Sequence, residues 1–313
     1  MAQTVALHTL GCKLNFSETS TIGNQFLQNG FSIVDMKDKA DVYVFNTCTV
    51  TENAEKEFRQ LVRKALRNNP DAYVIVTGCY AQLRSDEISS IAGVDAVLGT
   101  NEKFEIFSLI KEFNKNNPSC VYVSPNDEIN KFGLASSTDA DSRTRAYFKI
   151  QDGCDYKCTF CTIPLARGKS RSMDPEQVVK EFSNLVAQGY KEIILTGVNV
   201  GDYGKSFGLS FFDLLSKLVE IEGDFRIRIS SIEPNLLTDE IIKLTSESEK
   251  ICNHFHIPLQ SGSNTTLKSM QRRYRVEDYK NVVLNVKEMI PDCGIGVDAV
   301  SYTHLTLPTS DLV

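Results

Sequence analysis

Three times in its first eighty residues the chain runs an apolar segment into a short polar step and then a cysteine. The three ends read Leu10-Gly11-Cys12, Asn46-Thr47-Cys48 and Thr77-Gly78-Cys79. The segments before them, 3–10, 41–47 and 72–77, are short and rich in β-branched and aromatic residues, as buried strands are. Between them, 15–29 and 54–67 carry apolar residues at helical spacing, and the second stops before Pro70. Further strands are expected at 31–35 and 94–98, with a helix over 104–113. Such alternation predicts an open, mostly parallel α/β sheet. Ligands bind at the carboxyl ends of parallel strands, so Cys12, Cys48 and Cys79 are expected to converge on one edge. Buried apolar cysteines are the alternative. The shared position just past a strand end favours a three-cysteine metal site.

A second set of cysteines lies close together in sequence. Cys154-Asp155-Tyr156-Lys157-Cys158-Thr159-Phe160-Cys161 offers three thiolates on one short loop and no fourth ligand. Three corners of a cubane iron–sulfur cluster fit this spacing, with one iron open to a small molecule. Structural zinc would call for a fourth ligand, and neither set has a histidine in chelating register. The total of nine cysteines is odd, and the chain is too large to depend on disulfide staples, so ligation or catalysis is the better reading. Cys120, inside Cys-Val-Tyr-Val, reads as structural.

The 313 residues allow two domains. The expected division is 1–114, a polar connection over 115–145 that includes Ser136–Ser142, and a second domain over 146–300. That second domain repeats strand and helix: strands at 146–151, 192–196, 226–231, 254–259 and 295–300, and helices at 175–188, 211–220, 239–246 and 276–289. Asp174 is the expected N-cap of the first of these helices, with Pro175 at its first position. Regular βα repetition predicts a full or partial barrel with its site at the strands' carboxyl ends. Those ends are polar: Thr196-Gly197-Val198-Asn199, Ser230-Ser231-Ile232-Glu233 and His256-Ile257-Pro258-Leu259-Gln260-Ser261. Gly201-Asp202-Tyr203-Gly204 matches no full nucleotide fingerprint.

The net charge of −6 argues against generic, charge-driven nucleic-acid binding. Locally the sign reverses. From Arg143 to Arg171 seven basic residues (Arg143, Arg145, Lys149, Lys157, Arg167, Lys169, Arg171) face two acidic ones, Asp152 and Asp155. A solvated basic face or an anionic substrate explains the run equally well. No segment approaches the length of a membrane span, and the first residues carry no secretion signal. The expected location is the cytoplasm, with no membrane partner.

The Cys-x-x-x-Cys-x-x-Cys loop, with Phe160 beside its last cysteine, resembles the signature of radical S-adenosylmethionine (SAM) enzymes. The three N-terminal cysteines narrow the resemblance to the methylthiotransferases. Thr9-Leu10-Gly11-Cys12-Lys13-Leu14-Asn15, Asn46-Thr47-Cys48-Thr49-Val50-Thr51 and Ala166-Arg167-Gly168-Lys169-Ser170-Arg171-Ser172 are similar to the branch acting on threonylcarbamoyl-adenosine of tRNA. The branch acting on isopentenyl-adenosine has Gln-Met-Asn after the first cysteine, and the branch acting on a ribosomal protein has Pro-Lys-Asn there.

The resemblance, over roughly 3–300, implies a flavodoxin-like parallel-sheet domain followed by a partial TIM-like radical SAM barrel. It implies two 4Fe–4S clusters as the catalytic centres. Cys154, Cys158 and Cys161 would hold the radical cluster, with SAM on its open iron. Cys12, Cys48 and Cys79 would hold an auxiliary cluster carrying the sulfur to be inserted. Phe160, Thr196, Gly197, Asn199, Glu233, Gln260 and Ser261 would line the SAM pocket. Arg167, Lys169 and Arg171 would contact phosphates of the tRNA anticodon loop. An electron donor such as flavodoxin or ferredoxin and a sulfur donor are implied partners. After Gly296-Val297-Asp298-Ala299 relatives continue into a Gly-Phe-Pro-Gly-Glu-Thr-like segment and a small β-rich RNA-binding domain. Here 301–313 form an atypical tail. The barrel's last strand and the RNA-binding domain are therefore expected to be absent and tRNA binding weak. A non-catalytic iron–sulfur or sulfur carrier is the reading from another class, but it leaves the polar barrel rim without a purpose.

Overall fold

The computed structural model describes residues 3–48, 52–115, 119–137 and 145–299, with the side chains of 52–55 left aside. The tail at 301–313 and, within the expected connection, 116–118 and 138–144 with Arg143 lie outside the described residues. Two compact units emerge. The first comprises 1–155 and 162–171, the second 156–161 and 172–313.

In the first unit, β1 (Thr4–Thr9), α1 (Lys13–Gln28), β2 (Ser32–Val34), β3 (Val42–Thr47), α2 (Glu52–Asn68) and β4 (Tyr73–Gly78) follow the expected alternation. Then come α3 (Cys79–Leu83), α4 (Ser85–Ser89), β5 (Ala96–Leu98), α5 (Ile106–Leu109) and β6 (Cys120–Tyr122). The six strands form one parallel sheet in the order β2-β1-β3-β4-β5-β6. β3 and β4 are central and buried along their whole length, which is why both read as unbroken apolar runs rather than alternating ones. Each face of the sheet has its own core. Ile22, Phe26 and Ile106 pack with Val42, Val44 and Ile75 on one side; Phe58, Val62 and Ala65 pack with Tyr43, Phe45 and Val74 on the other. The expected helix at 104–113 shrinks to the single turn of α5.

β7 (Arg145–Lys149), β8 (Gln151–Asp152) and α6 (Ile163–Arg167) group with the first unit. Ala166 accepts a 2.7 Å hydrogen bond from Thr100 Oγ1. Lys149, Asp152 and Arg167 join side chains of α1 in a buried ion network described below.

After β9 (Arg171–Ser172), the second unit carries α7 (Pro175–Ala187), β10 (Glu192–Thr196), α8 (Phe211–Val219), β11 (Arg226–Ile229), α9 (Asp239–Glu247), β12 (His254–His256), α10 (Asn264–Ser269), α11 (Val276–Met289) and β13 (Gly294–Gly296). β10 pairs with β11 and β12 with β13, all parallel, and a parallel bridge from Ser231 to His256 continues β11 into β12. This is the wall of a βα barrel, with strand ends pointing one way. Its helix starts are chemically specified. Asp174 accepts from the N–H groups of Glu176 and Gln177 at 3.0 and 3.1 Å, with Pro175 at the first helical position. Ser210 and Asp213 form a reciprocal capping box on α8. No helix among the described residues is long and apolar enough to cross a membrane.

Candidate metal and cofactor sites

Parallel register fixes the first site. Thr9 pairs with Asn46, Asn46 with Thr77, and Thr47 with Gly78. The next residues are Leu10-Gly11-Cys12 on β1, Cys48 on β3 and Cys79 on β4, so three adjacent strands deliver their cysteines to one rim. Cys12 is the N-cap of α1 and Cys79 the first residue of α3. Glycine is required twice at this rim. Gly11 has φ +105, and a Cβ there would lie 2.8 Å from Cys48 Cβ and 3.1 Å from its Sγ. Gly78 has φ +100, and a Cβ would lie 2.2 Å from the Thr47 carbonyl oxygen. Cys12 is exposed, Cys48 half-buried and Cys79 buried.

Beneath the rim lies an ion network that sequence reasoning missed. Lys103, Lys149 and Arg167 are at most 2% exposed, and so are Glu18 and Asp152. Glu18 Oε1 accepts from Lys103 Nζ at 2.6 Å, Arg167 Nη1 at 2.9 Å and Lys149 Nζ at 3.2 Å. Asp152 accepts from Arg167 at 3.0 Å and from Lys149 and Arg171 at 3.2 Å. Arg167 Nη2 donates to Glu18 Oε2 at 3.1 Å and to Asn15 Oδ1 at 2.7 Å. Burial raises the Glu18 and Asp152 carboxyls, but the adjacent cations outweigh it and hold both below their ordinary values. Burial pushes Lys103 down to about 8 against the pull of Glu18, so it keeps its proton at neutral pH. Burial also raises the Cys79 thiol, opposed by Arg167 and Lys103.

Arg167 therefore cannot serve as the phosphate contact expected of it, because its guanidinium is buried and fully engaged. Arg171 is also largely committed, donating to the carbonyls of Lys131 and Lys169 at 2.9 and 3.1 Å and to Asp152. Lys169 alone of the three is exposed.

The Cys154–Cys161 loop is anchored at both ends. Cys154, in the first unit, donates its N–H to the Gly168 carbonyl at 3.1 Å. A Cβ on the preceding Gly153 (φ +69) would lie 2.0 Å from the Lys169 carbonyl oxygen. Within the second unit, Thr159 donates its N–H to Met270 and its hydroxyl to Ser269, and Cys161 N–H bonds Cys158 O at 3.1 Å. Arg272 Nη1 donates to Cys158 Sγ at 3.2 Å while its other arm pairs with Glu233. Burial raises the Glu233 carboxyl despite that ion pair. Arg273 stacks on Tyr156, its guanidinium carbon 3.9 Å from the ring centroid, and the Tyr156 hydroxyl accepts from Asn235 Nδ2 at 3.0 Å.

The expected SAM-pocket residues of the second unit lie at the carboxyl ends of its strands. Thr196 closes β10, and its buried Oγ1 has no hydrogen-bond partner among the described residues; nor has Ser230 Oγ after β11. Asn199 is buried and donates to Asp202 Oδ2 at 3.0 Å. Gly197 follows Thr196 directly. Gln260, after β12, adopts φ +62, a left-handed backbone rare for a residue with a side chain. Beside it, Ser261 Oγ accepts from Ser263 N–H at 3.2 Å. Phe160 is 42% exposed. His256 is engaged by Ser231 and by Asp298, the latter at 3.2 Å. Asp202 and Tyr203 serve the turn itself, with the tyrosine hydroxyl donating to Met173 O at 2.9 Å.

Among the described residues no three His, Cys, Asp or Glu side chains stand close enough to hold a metal ion. The donor sets nonetheless fit iron–sulfur ligation in kind. They are all thiol and they come in threes, and in the second set a guanidinium, Arg272, donates to the Cys158 sulfur. The orphaned hydroxyls of Thr196 and Ser230 fit a polar small molecule at the barrel rim.

Residues 4–99 match the uncharacterized protein family UPF0004, and 148–310 match the Radical SAM superfamily. Over 302 residues the chain is 46% identical to the threonylcarbamoyladenosine tRNA methylthiotransferase MtaB of Bacillus subtilis, covering 95% of this chain and 66% of that one. The enzyme of the same name from Aquifex aeolicus is 40% identical over 95% and 72% of the two chains. The tRNA-2-methylthio-N(6)-dimethylallyladenosine synthase of Clostridium tetani is 36% identical over 95% and 67%. The chain thus spans about two thirds of the length of these relatives. Among solved structures, the radical S-adenosylmethionine methyltransferase TsrM from Kitasatospora setae superposes with a TM-score of 0.65 at 15% identity, covering 95% of this chain and 67% of that one. At that identity the likeness concerns the fold.

Proposed function

The chain belongs to the radical SAM tRNA methylthiotransferases, and from that premise we propose that it inserts a methylthio group at carbon-2 of threonylcarbamoyl-adenosine beside the tRNA anticodon. The observation that carries this reading is the identity of 46% and 40% to two enzymes named for that substrate. The Gly11-Cys12-Lys13-Leu14-Asn15 segment adds to it.

Cys154, Cys158 and Cys161 hold one 4Fe–4S cluster and Cys12, Cys48 and Cys79 a second. The clusters and SAM supply the one-electron and radical chemistry that an unactivated aromatic C–H demands. The rest falls to the chain's own side chains. Thr196, Gly197, Asn199, Glu233, Gln260 and Ser261 line the SAM pocket, and Phe160 flanks it. The Thr196 hydroxyl, without a hydrogen-bond partner among the described residues, offers a bond to the ligand. Arg272 steadies Cys158 and Glu233 together. Lys169, exposed beside the loop, makes a phosphate contact to the RNA backbone. An electron donor of the flavodoxin or ferredoxin type and a sulfur donor complete the cycle, which takes place in the cytoplasm.

A second reading, methylthiolation of dimethylallyl-adenosine, draws on the 36% identity to the enzyme named for it. One experiment addresses both. Mass spectrometry of tRNA nucleosides from a strain lacking the gene should lose the methylthio form of threonylcarbamoyl-adenosine and keep that of dimethylallyl-adenosine. The opposite loss would transfer the assignment to the second substrate. Anaerobic reconstitution should give about eight irons per chain; zinc, or a single cluster, would sink the two-cluster reading.

A further inference from the structure

The buried ion network is uneven in composition. Three cations, Lys103, Lys149 and Arg167, share two carboxylates, Glu18 and Asp152, all fully buried in the first unit. The partly covered Arg171 adds a fourth cation. A buried surplus of positive charge is strongly unfavourable unless an anion stands beside it.

The network points at the cysteine rim. Arg167 ends α6, which packs on α3, the helix that Cys79 begins. Its Nη2 donates at 2.7 Å to Asn15 Oδ1, the atom that also lies 3.9 Å from Cys12 Sγ. Asn15 Nδ2 donates to the Leu10 carbonyl at 3.0 Å and to the Thr47 carbonyl at 3.2 Å, the latter one residue before Cys48. The Asn15 carbonyl in turn accepts from Asn46 Nδ2 at 2.9 Å. The guanidinium thus holds the amide, and the amide touches Cys12 and holds the carbonyl that precedes Cys48.

We propose that Arg167 and Asn15 are the positioning pair of the rim, and that the network's surplus positive charge is matched by an anionic iron–sulfur group carried by Cys12, Cys48 and Cys79. This rests on the two-cluster reading above. Hydrogen bonds to ligand sulfurs and nearby charge set both the retention and the reduction potential of such a group. A cation beside it favours the reduced, more negative state.

The test uses the full chain with Cys154→Ala, Cys158→Ala and Cys161→Ala, so that only the rim reports. Reconstituted anaerobically, this parent should hold about four irons. Arg167→Met, Arg167→Lys and Asn15→Asp are compared with it for iron kept after a chelator challenge, for midpoint potential by EPR-monitored titration, and for far-UV melting. Arg167→Met should release iron faster and shift the potential to more negative values. Arg167→Lys should restore the potential but not the retention, because an ammonium cannot reproduce the forked donation. Asn15→Asp should lower the potential, and because it forfeits the two Nδ2 donations to the Leu10 and Thr47 carbonyls it should also melt below the parent. Folded Arg167→Met and Asn15→Asp chains with parental retention and potential would overturn the proposal. If Arg167→Met and Asn15→Asp do not fold, Arg167→Lys decides by its iron retention, and parental retention overturns the proposal. A parent that binds no iron would refute the two-cluster reading instead, and the zinc content of the same sample would say what replaces it.

Discussion

Glutamine at position 18 is the sharpest probe of the network under the cysteine rim. Glu18 is fully buried, and its two oxygens accept four hydrogen bonds from three cations at 2.6 to 3.2 Å. Glutamine has nearly the same shape, so Glu18→Gln opens no cavity and isolates the charge. After the change, three buried cations face the single carboxylate of Asp152. Removing one partner of a buried ion pair costs about 3–5 kcal/mol. The amide oxygen keeps one acceptor, which favours the lower end. A unit of this size loses about 2–4 °C of melting temperature per kcal/mol, so a drop on the order of 6–12 °C is expected. Thermal and urea melts followed by far-UV circular dichroism measure it, with the two units' transitions fitted separately. Adding Lys103→Met brings the count to two cations on one carboxylate and should recover part of the loss, with a coupling of at least about 1 kcal/mol. A single-mutant loss below about 1 kcal/mol, or no recovery in the double mutant, would refute the charge argument.

Gly78→Ala forces a Cβ to within 2.2 Å of the Thr47 carbonyl at a φ of +100. It should destabilise the first unit by at least about 1–3 kcal/mol and reduce the iron bound after reconstitution; a wild-type melt would show the strand end to be more yielding than drawn. Thr196→Val deletes a buried hydroxyl that has no partner among the described residues. The ligand-free chain should be unchanged or stabilised by up to about 1 kcal/mol, while SAM affinity measured by equilibrium dialysis falls by roughly 2- to 10-fold. Unchanged affinity would remove Thr196 from the pocket. Acid should unfold the first unit early. Glu18 and Asp152 sit below their ordinary values of 4.5 and 3.8 in the folded chain, so the stability they contribute is complete above those values. It is lost as pH falls through them toward the folded values. A Glu18→Gln chain should show a shallower acid limb in urea melts taken between pH 6 and 3; an identical slope would count against the linkage.

The strand-to-cysteine steps were legible because period and placement both survive in a linear text. Cys12, Cys48 and Cys79 come to one rim because parallel register leaves them no other end. The Asp174-Pro175 start of α7 was legible for a similar local reason. Arg167 was misread. Its neighbours Lys157, Lys169 and Arg171 suggested a basic surface, and nothing nearby in sequence revealed that Glu18 would meet it inside the fold. Glu18, Lys103 and Lys149 gave no signal of their own, since a charged residue on a helix or loop is usually solvated. Asn15 carried the one usable hint, three residues after Cys12 and so on the same helical face. Arg272 was hidden likewise: an Arg-Arg pair before Tyr274 says nothing of Cys158 until α10 is folded beneath the loop.

The two sets of cysteines differ in when they can come into being. Cys154, Cys158 and Cys161 are neighbours along the chain, and an unfolded segment closes so small a loop at little entropic cost. Cys12, Cys48 and Cys79 meet only after β1, β3 and β4 have paired across long stretches of sequence, which is among the slower events in folding. On the two-cluster reading, iron delivered to the nascent chain would find one site in reach and the other not yet made. The rim would then be loaded only after folding, and in the folded chain the Cys12 thiol stands exposed.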